Sequence, residues 1–225
     1  MDDIKANLER VRERVARAAE RAGRPADDVL LIGVSKTVDA DRIRQALAGG
    51  LAALGENRVQ EAKAKIEILG HPVPWHLIGH LQTNKSRDAV ALFDVIHSID
   101  RVELAREVER RAQVRDRVVD VLVEVNLGGE GAKGGVTADG IVALLDALSG
   151  LAHLRVRGLM AIPPVVERAE DARRWFGALR ALAEQHGLKE LSMGMSADFE
   201  VAIEEGATMV RVGTAIFGAR PARAA

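Results

Sequence analysis

The sequence predicts an α/β chain closed into a single-domain (β/α)8 barrel, with one extra helix in front of it. Three observations carry this. Eight apolar stretches alternate with helical patterns, and short loops join them. The stretches are near-continuous, beginning with VLLIGVSK over 29–36, which marks parallel strands covered on both faces. The 225 residues hold eight such units with no segment left for a second domain. An open doubly wound sheet is the alternative; the short loops imply right-handed crossovers, and eight such units in series suggest closure.

In order, Ile4, Leu8, Val11, Val15, Ala18 and Ala22 recur at spacings of three and four, predicting an amphipathic helix over 2–22 that stops at Gly23 and Pro25. After strand 29–36, helix 40–48 ends at Gly49-Gly50, and a short strand over 51–54 runs into Gly55-Glu56-Asn57. Helix 59–69 leads to strand 75–78, and Asn84 opens the next helix. Strand 95–98, helix 102–112, strand 118–126 and helix 139–148 follow. Strand 154–162, helix 171–186, strand 191–193, helix 198–205 and strand 209–212 complete a barrel over about 29–220, within one domain over 1–225.

Composition excludes several functions. Lys and Arg number 32 against 33 Asp and Glu, with no charge block, so neither nucleic acid nor an anionic membrane is a predicted partner. No cysteine means no disulfide, thiol nucleophile or cysteine-ligated metal. The amphipathic start is neither a signal nor a transit peptide, and no apolar run reaches membrane-spanning length. A cytoplasmic monomer is expected.

In a barrel the chemistry gathers at the carboxyl ends of the strands, and a phosphate frequently sits after strands seven and eight. Lys36 shares a strand face with Val34, Ile32 and Leu30, where an ammonium is costly unless paired or chemically used. Ser196 after Gly194-Met195, and Gly213-Thr214, offer hydroxyls and closely approachable main-chain N–H groups to a phosphate; as simple helix caps they would need no ligand. Arg211, between Val210 and Val212, needs a partner: Glu56 or Glu124 as a structural ion pair, or a ligand ring nitrogen. Lysine, phosphate cradle and arginine together match the needs of pyridoxal phosphate (PLP), held as a Schiff base with a partner at its pyridine nitrogen.

Two other patterns carry less. Gly129-x-Gly131-x-x-Gly134 follows a strand and precedes a helix, but the next strand ends without an acidic residue for a ribose. The six histidines show no metal-protease spacing, so no metal site is predicted, and His76 reads as an interior histidine. Lys85 and Lys133 read as exposed.

Gly33-Val-Ser-Lys36, Gly55-Glu-Asn57 with Gln60-Glu61, Trp75 to Lys85, Arg157 to Pro163, Ser192 to Asp198 and Arg211 to Gly218 resemble the pyridoxal phosphate homeostasis protein family over 29–220. This family is also described as proline synthetase co-transcribed homologues. The resemblance implies a fold-type III TIM barrel like the N-terminal domain of alanine racemase. It implies Lys36 as the covalent Schiff-base lysine, Arg211 opposite the pyridine nitrogen, Ser196, Gly213 and Thr214 at the phosphate, and Asn57 near the ring. Arg58, where the family often has an aromatic residue, and the extra glycine around Glu130-Gly-Ala-Lys133 are departures.

The implied function is a vitamin B6 carrier or buffer that serves PLP-requiring apo-enzymes and has no catalytic residues of its own. The alternatives are an amino-acid racemase, which would need a second base where this chain has no tyrosine, and a Schiff-base aldolase using Lys36 on phosphosugars.

Overall fold

A computed structural model describes residues 3–131 and 134–218; Met1, Asp2, Ala132, Lys133 and positions 219–225 lie outside the described residues. The chain opens with α1 (Ile4–Arg21), capped by the Asp3 side chain accepting from Ala6 N–H. Strands β1 (Leu30–Val34), β2 (Ala53–Glu56), β3 (Trp75–Leu77) and β4 (Val95–Ile99) alternate with α2 (Ala40–Ala48), α3 (Val59–Leu69) and α4 (Ser86–Leu92). After α5 (Val102–Val114) come β5 (Val119–Glu124), α6 (Ile141–Ser149), β6 (Leu154–Met160) and α7 (Arg173–Gln185). The last elements are β7 (Glu190–Met195), α8 (Phe199–Glu204), β8 (Met209–Val212) and α9 (Thr214–Phe217).

The strands follow sequence order around the sheet, and β8 pairs with β1 to close the barrel, with Ile32 beside Arg211. The open-sheet alternative is thereby removed. Closure leaves no edge strand to protect. Among the described residues no helix is long and apolar enough to cross a membrane.

Alternation along the strands divides the interior in two. Ile32, Ala53, Leu122, Met160 and Met209 meet inside the barrel, while Leu54, Trp75, Leu77, Ile96, Val121 and Val123 join the larger layer between sheet and helices. Helix α1 adds Ile4, Leu8, Val11 and Val15 to that outer layer.

The strand limits move where caps and turns intervene. β2 begins at Ala53 rather than Leu51, because Leu51 N–H bonds back to Ala46 C=O across a left-handed Gly50 (φ 86°) and so closes α2. β1 stops at Val34, so Lys36 lies in the turn beyond it. β7 is longer than expected, and α9 was not foreseen, its four residues being too few to show a helical period.

Outside the barrel wall, beneath α3, the ends of β1 and β2 are tied by buried charge. Glu56 is fully buried, and its Oε1 accepts from Lys65 Nζ (2.6 Å) and from Ser35 Oγ (2.6 Å). Lys65 Nζ also donates to Ser35 C=O (2.5 Å) and Glu61 Oε1 (2.8 Å), and Glu61 Oε1 accepts from Thr37 N–H (2.5 Å). Burial raises the Glu56 carboxyl above its ordinary range, and Lys65 offsets part of that.

Removing one partner of such a pair strands the other in apolar surroundings. Lys65→Met should therefore lower unfolding free energy by about 3–5 kcal/mol in chemical denaturation. Glu56→Gln combined with Lys65→Met should recover most of the loss, and a double mutant no better than the single would contradict this view of the pair.

Candidate functional site

The β1–α2 turn is built around Lys36. Its neighbours Ser35 and Thr37 are the residues gripped by the Glu56–Lys65–Glu61 network, so the lysine's backbone is fixed from both sides. Thr37 has φ 63°, a conformation that costs a β-branched residue about 1–3 kcal/mol and persists only where surrounding contacts over-determine it. The half-buried Lys36 side chain lines the barrel mouth together with Val34, the last residue of β1.

The cavity there has a volume of ≈ 350 Å³, in the range of small-ligand sites. Its walls bring together Lys36, Asn57, Ser196, Arg211, Gly213 and Thr214, with apolar contributions from Val34, Ile78, Ile162 and Met195. A neighbouring hollow shares Lys36 and Asn57 and continues to Arg58, His80 and Lys85. Lys85 is half-buried, not exposed as its place at a helix start suggested. Asn57 reaches the mouth because Gly79 leaves it room: a Cβ at Gly79 would lie 2.4 Å from Asn57 C=O.

Across the mouth, β7 and β8 end in a small-residue cradle. Gly194 turns with φ 88° where a Cβ would stand 2.5 Å from Ala202 Cβ, and Asp198 Oδ1 accepts from Met195 N–H (2.7 Å). These two contacts set the loop that presents Ser196. Its hydroxyl oxygen accepts from Gly213 N–H (3.2 Å) and from Ala215 N–H (3.5 Å). Two main-chain donors thus converge on one oxygen, an arrangement that also suits an anion's oxygen. Thr214 is exposed at the same rim.

Arg211 points into the barrel and is 3% exposed. Sequence reasoning offered Glu56 or Glu124 as an ion-pair partner, and the structure overturns the first: Glu56 points to the other side of the sheet, to Lys65, while Glu124 acts on Arg211 through its charge. Arg211 instead donates Nη1 to Ser192 Oγ (2.6 Å) and Nη2 to Ala161 C=O (2.9 Å). Burial lowers it to about 10, opposed by the charges of Glu124 and Asp198, so the guanidinium stays charged at neutral pH.

Behind Ser192 runs a chain of buried polar groups that sequence reasoning missed beyond His76. Ser192 Oγ lies 2.9 Å from His97 Nδ1, and His97 Nε2 lies 2.8 Å from His76 Nδ1. His76 is thus the interior histidine its strand position suggested. His97 shares the inward parity of β4 with Val95, and Ser192 pairs across to the inward-facing Met209 of β8, which is the signal that was available for them. Burial pushes His76 down to about 4, and burial with the nearby His76 and Arg211 holds His97 well below the usual range.

A closed parallel barrel with a lysine, a two-donor cradle and a buried arginine around one mouth cavity defines the class: a barrel equipped for a small anionic ligand. The family model for the alanine racemase N-terminal domain matches residues 6–221. A "Pyridoxal phosphate homeostasis protein" of Aquifex aeolicus is 48% identical over 220 residues, covering 95% of this chain and 96% of the relative. That of Pseudomonas aeruginosa is 43% identical over 223 residues, covering 98% and 97%. The structure of PipY from Synechococcus elongatus, with PLP bound, matches with TM-score 0.81 at 41% identity, over 92% of this chain and all of that one. The chain belongs to the pyridoxal phosphate homeostasis protein family, within the alanine racemase N-terminal domain group.

The internal histidines give a prediction with a definite sign. An unfolded histidine takes a proton near 6.5, whereas folded His76 does so only at about 4, so the folded state binds fewer protons in between. The stability this group contributes is present above about 6.5 and is lost as pH falls toward about 4. In nitrogen-15 NMR, the His76 and His97 rings should keep neutral-imidazole shifts down to about pH 5. Imidazolium signals from either at neutral pH would contradict the chain as described.

Proposed function

We propose that this protein is a cytoplasmic, monomeric carrier or buffer of pyridoxal phosphate. It holds the cofactor covalently at Lys36 and supplies PLP-requiring apo-enzymes, with little or no catalysis of its own. The carrying observation is that Lys36 and Arg211 line the same cavity as the Ser196 hydroxyl, Gly213 and Thr214. The 48%-identical relative named for pyridoxal phosphate homeostasis, and PipY bound to PLP, support the reading.

Bound pyridoxal phosphate supplies an aldehyde that reacts with amines and a ring that can draw electrons from an attached amino acid. The chain's own residues would act as follows. Lys36 Nζ provides the amine, on a turn locked by its buried neighbours. Gly213 N–H, Ala215 N–H and the hydroxyls of Ser196 and Thr214 receive the phosphate. Asn57 lies near the ring at the rim, and the apolar Ile78 and Ile162 flank the cavity. Arg211, fixed by Ser192 and Ala161, would oppose the pyridine nitrogen.

An always-charged donor in that position disfavours a proton on the nitrogen, and so weakens the ring's electron-withdrawing power. That arrangement suits storage better than turnover. The racemase alternative also lacks support from composition, since none of the 225 residues is tyrosine.

Purified protein loaded with PLP should show a visible absorption band that Lys36→Ala abolishes. Ser196→Ala with Thr214→Ala should keep the band at saturation but lose the cofactor far more readily on dialysis, each lost charge-assisted bond costing about 1.5–3 kcal/mol. A Lys36→Ala protein with an unchanged band would overturn the covalent assignment, and unaltered retention in the double mutant would move the phosphate elsewhere.

A further inference from the structure

The β3, β4 and β5 side of the mouth holds a cluster that the preceding reading does not use. His80 follows β3, Asp100 follows β4, and Glu124 is the last residue of β5, so three neighbouring strands each deliver one side chain. His80 Nδ1 lies 3.6 Å from Asp100 Oδ2, and the three potential ligand atoms lie within 4.8 Å of one another. No sequence spacing betrays them, because the barrel and not a local motif brings them together.

Two further observations single this cluster out from an ordinary acidic patch. Glu124 is 8% exposed, and its Oε2 has no hydrogen-bond partner among the described residues. A buried carboxylate oxygen facing another carboxylate without a donor is costly and calls for a cation or a proton. Asp100 has a firm partner on one side only: Oδ1 takes Arg101 Nη1 at 2.5 Å, while Oδ2 faces the cluster and has Gly135 N–H at 3.5 Å.

The second observation is the cover. The glycine-rich loop after β5 folds back through Val136 N–H to Glu124 C=O (2.8 Å) and Asn126 N–H to Val136 C=O (2.8 Å). This lays Gly134 over the three side chains. A Cβ at Gly134 would stand 3.2 Å from His80 Nδ1, 3.5 Å from Asp100 Oδ2 and 3.5 Å from Glu124 Oε2. All three atoms therefore face one point that only the absence of a side chain keeps open. Gly135, at φ 108°, makes the return possible, since a Cβ there would meet Asn126 N at 2.7 Å. Of the glycines that superficially match a dinucleotide motif, Gly134 thus has a different role here.

We propose that His80 Nδ1, Asp100 Oδ2 and Glu124 Oε2 form a binding site for a divalent first-row transition cation such as Mn²⁺ or Zn²⁺. One imidazole and two carboxylates suit these ions better than soft or purely oxygen-ligated metals. The His80 side chain is 50% exposed, so water or a small ligand can complete the coordination from the mouth. The proposal does not depend on the cofactor reading.

The test uses the full chain, freed of any affinity tag and treated with chelator, and titrated with MnCl₂ while free Mn²⁺ is followed by electron paramagnetic resonance. Wild type should bind one Mn²⁺ per chain. Glu124→Gln should weaken binding by at least about tenfold, as losing a charged ligand does. Gly134→Ala, which alters no ligand and has no left-handed backbone to strain, should weaken it as well by filling the space. His80→Ala, at a half-exposed position, provides a third variant should Glu124→Gln fail to fold. No stoichiometric binding by wild type at millimolar Mn²⁺, or affinity equal in wild type and all folded variants, would overturn the site and leave Glu124 as a protonated partner of Asp100.

Discussion

The Glu56–Lys65 pair is the interaction on which the mouth of this barrel rests. It lies outside the barrel wall, in the apolar layer beneath α3, where burying two charges is expensive. What it secures is position. One carboxylate oxygen and one ammonium between them hold the hydroxyl and carbonyl of Ser35, and through Glu61 the N–H of Thr37. Lys36 stands between those two residues, so its side chain projects into the mouth from a backbone that cannot swing. The strained φ of Thr37 fits the same account, since local strain survives where neighbouring bonds leave no alternative.

Inside the wall the polar groups follow a different plan. Arg211 is reached from one side by Ser192, His97 and His76 in series, all buried and, for the histidines, held neutral by that burial. The charges of Glu124 and Asp198 also act on it. The chain fixes the direction of the guanidinium, which stays charged at neutral pH. The barrel thus separates a neutral hydrogen-bonded column from a charged rim, and the cavity beside Lys36 lies where the two meet.

Much of this was legible in the sequence. Continuous apolar runs separated by helical periods gave the eight units; Lys36, expected on the strand face of Val34, lies in the turn beyond β1 but lines the same cavity as Val34. Ser196, Gly213 and Thr214, singled out in the sequence as small residues after the last two strands, do come together at one cavity. The partners of Arg211 could not be read, because Ser192 and Ala161 are distant in sequence and neither is charged. Glu56, offered beside Glu124, is excluded by alternation along β2: Ala53 faces the barrel interior, so Glu56 three residues on faces the helices. The gathering of His80, Asp100 and Glu124 was likewise invisible, since it depends on three strand ends lying side by side and on a loop whose return is made by backbone bonds.

The most direct test of the central claim is to load the protein with pyridoxal phosphate, reduce it with borohydride and map the modified peptide by mass spectrometry. The account predicts one modified residue per chain, Lys36, with Lys65 and Lys85 untouched, although Lys85 lines the adjoining hollow. Modification centred on Lys85 or spread over surface lysines, with Lys36 unmodified in folded protein, would contradict it.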